Sequence, residues 1–131
     1  ITYGDWSSDV CSSDLGSIVW RQNFSSGQGL TSLYTTTASY INTSNWAHIV
    51  GTFSSGDRRL YINGVLVNSD SQAGTIATNT NGCSIGVYGG YNGGRSYYYN
   101  GRIGSVKVYN RVLTANEVLQ NFQAQRGLYG V

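Results

Sequence analysis

Residues 59–67 read RLYINGVLV, and the Asn-Gly pair inside this run constrains the chain more than any other feature. Asn and Gly both tolerate positive φ, so Asn63 and Gly64 are predicted to close a two-residue hairpin between Arg59–Ile62 and Val65–Asn68. The same period of two recurs along the chain. Ile18–Gln22, Leu30–Thr36, Trp46–Phe53, Cys83–Tyr88 and Ile103–Tyr109 are short β-favouring runs set apart by Gly, Asn and Ser clusters. Short strands with such punctuation predict a sandwich or jelly roll. Trp46–Phe53 is apolar on both faces, with Trp46, His48 and Val50 on one side and Ala47, Ile49 and Phe53 on the other. That pattern predicts a strand in the middle of a layer, covered from both sides.

Composition agrees with one β-rich, turn-rich domain. The 131 residues include 18 Gly and no Pro, and only 11% are charged, so solubility falls to Ser, Thr, Asn and Gln. No run of about eighteen apolar residues is present to span a membrane, and no basic, then apolar, leader opens the chain.

The first fifteen residues, ITYGDWSSDVCSSDL, share none of this patterning. DWSSDVCSSDL, residues 5–15, is what a common short-read sequencing adapter encodes in one reading frame. Residues 1–15 are therefore expected to be an adapter-derived artefact outside the fold, as a fusion scar would be. Residues 16–131 are expected to form the domain. Setting aside Asp5, Asp9 and Asp14 leaves Asp57, Asp70 and Glu117 against eight Lys and Arg, a formal charge of +5 in place of +2. The cations are scattered apart from Arg58 and Arg59, with no basic stripe and interleaved aromatics, which argues against nucleic acid as a partner.

Setting Cys11 aside leaves Cys83 alone, without a disulfide partner or a neighbouring metal ligand. Cys83, Ile85 and Val87 would share one face of a strand, where a small buried hydrophobe fits. His48, the single histidine, has no acidic or thiol company in sequence and reads as a hydrogen-bonded strand residue, because acid–base work needs a partner within reach. One helix is well marked in LTANEVLQNFQAQRG. Thr114 is its N-cap candidate, Glu117 completes a capping box, and Leu113 can staple onto Val118. Val118, Leu119 and Phe122 form its apolar stripe, and Gly127 supplies a left-handed stop.

WAHIVGTFSSGDRRLYINGVLV, then CSIGVYGG, then YYNGRIGSVKVYNRVLTANEVLQNF, together resemble the C-terminal two-thirds of a laminin G-like domain of the concanavalin A-like lectin/glucanase superfamily. The resemblance rests on Trp46 and His48, on Tyr61, Asn63 and Gly64, on Ile85 and Gly86, and on Gly101, Ile103, Tyr109, Asn110, Arg111 and Leu113. It implies an all-β, concanavalin A-like jelly-roll sandwich with one short C-terminal helix, lacking the family's first strands. The tail VYNRVLTANEVLQNF is similar to copies in bacteriophage structural proteins, which implies an extracellular or virion-surface setting. The family often has acidic residues straight after Gly-x-Ile, where this chain has Gly104 and Ser105. No cofactor is therefore expected, and a calcium ion would have to draw on backbone carbonyls and Asn side chains.

Catalytic patterns are lacking. Glycosidases of this superfamily need two carboxylates flanking the scissile bond, and Asp57, Asp70 and Glu117 lie apart in sequence. Neither a Ser/His/Asp set nor a phosphate loop occurs. What rises above scaffold is residues 88–100, with four Gly, five Tyr, Asn92 and Arg95. Sugar C–H faces lie on aromatic rings while their hydroxyls bond amides and guanidinium, so Tyr91, Asn92, Arg95 and Tyr97 are the candidate ligand-binding residues. Extended packing of Tyr97, Tyr98 and Tyr99 would instead send at least one of them into the core. The leading expectation is a noncatalytic glycan-binding module of a larger surface or virion protein. Its rival is a structural display domain that contacts other domains or subunits, and a glycoside hydrolase fragment comes third.

Overall fold

The structure is a computed structural model that describes residues 9–12, 18–24, 29–34, 45–54, 56–76, 85–89, 95–99 and 101–131. Strands β1 (Asp9–Ser12), β2 (Ile18–Phe24) and β3 (Gly29–Tyr34) form one antiparallel sheet in the order β1-β2-β3. β4 (Ile49–Ser54), β5 (Asp57–Ile62) and β6 (Val65–Asp70) form a second, and β7 (Val87–Gly89) pairs with β8 (Arg95–Tyr98). Helix α1 (Ala115–Tyr129) closes the chain. β1 falls within the segment that the sequence sets apart, and it pairs with β2 from Asp9↔Arg21 to Ser12↔Ile18.

The predicted hairpin joins β5 to β6. Asn63 at φ 50 and Gly64 at φ 80 take the two left-handed positions of a type I′ turn. Asn63 has a second task, because its N–H donates to the His48 carbonyl at 2.8 Å and its Oδ1 accepts from the His48 N–H at 2.9 Å. One turn residue thus fixes both the hairpin and the entry into β4. A bulge follows where Leu60 faces Asn68 but Tyr61 faces Leu66, so Val67 is the extra residue.

Alternation along these strands makes two buried layers. Ile18, Trp20 and Leu33 of the first sheet pack on Leu60 and Ile62 of the second, with Ile49, Phe53 and Val67 at the margin. The Trp20 indole lies directly on Gly51, where an added Cβ would come within 2.9 Å of three ring atoms. Beside this apolar layer sits a polar one. Arg58 is buried, and its Nε donates to Asp70 Oδ1 at 2.8 Å while Nη2 pairs with Asp70 Oδ2. Its Nη1 crosses to the other sheet and donates to Thr31 Oγ1 at 3.1 Å. The outer face of the second sheet carries the other layer, in which Val50, Tyr61, Leu113 and Val118 are buried with Tyr109 beside them.

The helix begins as its sequence predicts. Thr114 Oγ1 accepts from the Glu117 N–H at 3.3 Å, and the Glu117 carboxylate accepts from the Thr114 N–H at 2.8 Å. Its end differs. Gly127 lies inside α1, and the left-handed cap is Gly130 at φ 70, whose N–H donates to the Arg126 carbonyl. The physical reason is the added turn, which brings Tyr129 onto Trp46 at a ring separation of 4.9 Å and against Gly104.

Three strand expectations also differ. β4 is covered on both faces but flanks β5, which is the middle strand of its sheet. Ile85 lies exposed in a bend and β7 starts only at Val87, while Cys83 lies outside the described residues. Among the described residues, Ile103–Tyr109 takes no strand pairing beyond a single bridge at Tyr109, and residues 101–108 are exposed. A period of two gives a segment strand character, whereas a ladder also needs a neighbour whose backbone groups are free.

Candidate functional site

The loop singled out in the sequence spans the β7–β8 hairpin. Val87 faces Tyr98, Tyr88 faces Ser96 and Gly89 faces Arg95, so the register slips by one residue and Tyr97 is the bulged position. Bulges twist a strand locally and re-aim its side chains, and they are over-represented next to functional sites. Of the four candidate residues, Arg95 and Tyr97 lie in β8, two positions apart. Tyr91 and Asn92 lie outside the described residues.

Tyr99 closes the base of this hairpin. Its N–H donates to the Gly86 carbonyl at 2.8 Å, and Gly86 holds φ 74, a conformation suited to glycine. The phenol end of Tyr99 rests against Gly101, where a Cβ would sit 2.6 Å from the ring. Even so, 45% of Tyr99 is exposed. A ring held by the backbone and left open to solvent loses little conformational freedom when a ligand settles on it. The sequence reading did not select Tyr99 individually. Gly101, two residues on, is the signal that could have marked it, since a glycine is what lets the ring lie down.

The titratable groups are arranged differently from those of a hydrolytic site. Asp57 pairs with Arg59 at 2.9 Å, Asp70 with Arg58, and Glu117 with Arg111 at 2.6 Å. The Arg111 guanidinium and the cap N–H and hydroxyl of Thr114 lower the Glu117 pKa from 4.5 to about 2. Each of the three carboxylates considered for catalysis thus answers an arginine.

His48 lies just ahead of β4, and its ring stands 5.9 Å from that of Phe122. Burial, then the nearby Lys107 charge, lowers its pKa below the ordinary 6.5. Its Nδ1 is buried without a hydrogen-bond partner, so the bonds expected of this residue are made by its backbone alone. Among the described residues, no group of three or more His, Cys, Asp or Glu gathers to hold a metal, and no helix is long and apolar enough to cross a membrane.

Residues 2–119 match a family model described as the concanavalin A-like lectin/glucanases superfamily. Among solved structures, the chain is similar to an S-layer domain-containing protein from Clostridium thermocellum ATCC 27405, with 23% identity and a TM-score of 0.56. That likeness, one of fold, covers 82% of this chain and 52% of the other, so this chain spans about half the length of its structural relative. A comparison with curated proteins finds no match. With the family model running over most of its length, and with two facing antiparallel sheets closed by a C-terminal helix, the chain belongs to the concanavalin A-like lectin/glucanase superfamily as a laminin G-like domain.

Proposed function

We propose that this domain is a noncatalytic carbohydrate-recognition module of a larger extracellular or virion-surface protein, and that residues 88–100 form its binding face. The observation that carries this reading is Tyr99, an exposed ring seated on Gly101 at the base of the hairpin that holds the other candidates. Tyrosines 91 and 97 would extend the stacking surface, while Asn92 and Arg95 would bond the sugar hydroxyls. Hydrolysis has little support, because a glycosidase needs one carboxyl group free to donate a proton and a second aimed at the anomeric carbon or at a water. Asp57, Asp70 and Glu117 are each committed to an arginine instead.

A second reading, a display domain packed against neighbouring subunits, draws on the S-layer domain-containing relative and keeps the same fold. Glycan-array binding separates the two. The chain is assayed with and without calcium beside a Tyr91→Ala/Arg95→Ala variant. Selective binding that the variant loses supports recognition through this loop, whereas no binding by a folded sample moves the assignment to subunit contacts.

A further inference from the structure

His48 stands at the seam between the second sheet and α1. Its backbone is locked there, because Asn63 accepts from the His48 N–H and donates to the His48 carbonyl. Its ring meets the helix, 5.9 Å from the Phe122 ring and tilted 38° to it. Two neighbouring contacts complete the seam. Trp46 lies on Tyr129 at 4.9 Å, and Leu119 and Phe122 cover Gly64, where a Cβ would come within 2.9 and 3.3 Å of their side chains. Val118 is the one buried residue of α1, and no residue of the helix belongs to the described cluster that joins the two sheets. The docking of α1 can therefore open as a unit at less cost than the core between the sheets.

Charge decides what keeps this seam shut. A neutral imidazole can leave one nitrogen as a bare lone pair, whereas imidazolium carries an N–H on both. Nδ1 of His48 is buried without a hydrogen-bond partner, so a proton on the ring adds an unsatisfied donor and a poorly solvated charge together. The neighbouring groups add to that cost. Lys107, in the strap of residues 101–108, opposes a second cation, and from α1 the Arg126 guanidinium lies over the Phe122 ring at 5.9 Å. Glu117, the acid of the helix, is held by Arg111 and the Thr114 cap. β4 has no charged side chain, and Asp57 and Asp70 lie at the end of the β5–β6 hairpin away from Asn63. The phenols of Tyr61, Tyr109 and Tyr129 supply no negative charge near neutral pH. We infer that His48 is an acid-sensitive latch: neutral, it seats α1 on the second sheet, and protonated, it releases the helix while the two sheets stay paired. The chain has one histidine, so mild acid acts on this ring before the other side chains. Burial and Lys107 set its folded pKa below 6.5, so the seating is complete above about pH 6.5 and is lost as pH falls below it.

Hydrogen exchange of the full chain, read by mass spectrometry at about pH 7 and about pH 5 and corrected for the intrinsic effect of pH, tests this. Protection of α1 should fall by about fivefold or more at the lower pH, while that of β2 and β5 holds. Glu117 stays ionised across this interval, because its pKa is about 2, so the helix cap contributes nothing to the change. His48→Gln, which cannot take the proton, should abolish the pH response whatever its own effect on protection. Lys107→Glu, at an exposed position, should shrink the response by giving the imidazolium a carboxylate. A helix equally protected at both pH values would overturn the inference, as would a response retained in His48→Gln. Protection lost to the same degree in α1 and in both sheets would overturn it as well, since that is global destabilisation with no separate release of the helix.

Discussion

Asp70→Asn is expected to be the most damaging shape-conserving change of charge in this protein. The Arg58 side chain is 1% exposed, and Asp70, at 32%, supplies its counter-charge through two oxygens. Thr31 Oγ1 at 3.1 Å offers a dipole and no charge. Removing one partner of a buried pair costs about 3–5 kcal/mol, because the other charge is left in a poorly solvated place. Water reaches Asp70, so the lower end, about 3 kcal/mol, is expected here. For a domain of this size that is a fall in Tm of roughly 12 °C, at about 4 °C per kcal/mol. Arg58→Met removes the charge that is hard to solvate and leaves a carboxylate that water can reach, so it should cost less, about 1–2 kcal/mol. The double variant should cost less than the two single changes added together, which isolates the coupling. Urea titration of the four proteins gives all these terms from the midpoint at constant m. An Asp70→Asn protein within about 0.5 kcal/mol of wild type, or a cost for Arg58→Met above that for Asp70→Asn, would refute a buried guanidinium held by this one carboxylate.

Other consequences are as direct. Gly51→Ala should destabilise by about 1–3 kcal/mol by forcing a methyl group into the Trp20 ring, and thermal melts of that variant beside a Trp20→Leu/Gly51→Ala pair should show the cost relieved by the smaller partner. Thr114→Ala should cost about 1 kcal/mol through loss of the cap, read as a lower helix signal and an earlier midpoint. Glu117 has a folded pKa of about 2 against an ordinary 4.5, so its contribution is complete above about pH 5 and is lost as pH falls through 2. His48 acts in the same direction at higher pH, since burial opposes its protonation and stability should already decline as pH drops below 6.5. Stability profiles of wild type and Glu117→Gln should therefore converge in strong acid and diverge toward neutrality. Removal of residues 1–15 should leave the Tm within about 5 °C, because the described members of both buried clusters begin at Ile18, and a larger loss would give β1 a stabilising role.

The parts of the fold that local chemistry decides were legible in the sequence. Asn63-Gly64 specifies its turn by φ alone, and Thr114 with Glu117 specifies the helix start through atoms three residues apart. The two-faced pattern of Trp46–Phe53 separates Trp46, His48 and Val50 from Ile49 and Phe53, and the structure puts the first set on the helix side and the second toward the other sheet. What was not legible depended on distant partners. Gly127 offers a stop that the helix does not use, because the contacts of Tyr129 with Trp46 and Gly104 favour another turn. Ile103–Tyr109 alternates as well as any strand here, yet strand pairing depends on what lies beside it. The buried Arg58 could not be read either, since its place follows from the β5–β6 register that sets Asp70 opposite. For the loop proposed to bind, sequence supplied the residue types, and the structure adds the bulge at Tyr97 and the seating of Tyr99.

The most direct test of the account is a nuclear magnetic resonance titration of the isotope-labelled chain with the best glycan from the array, followed through its backbone amides. Recognition through the hairpin predicts saturable shifts concentrated at residues 88–101, with Tyr99 among the largest and the Arg102–Val108 strap and α1 unchanged. Shifts centred elsewhere, or none at saturating sugar, would contradict a carbohydrate site in this loop.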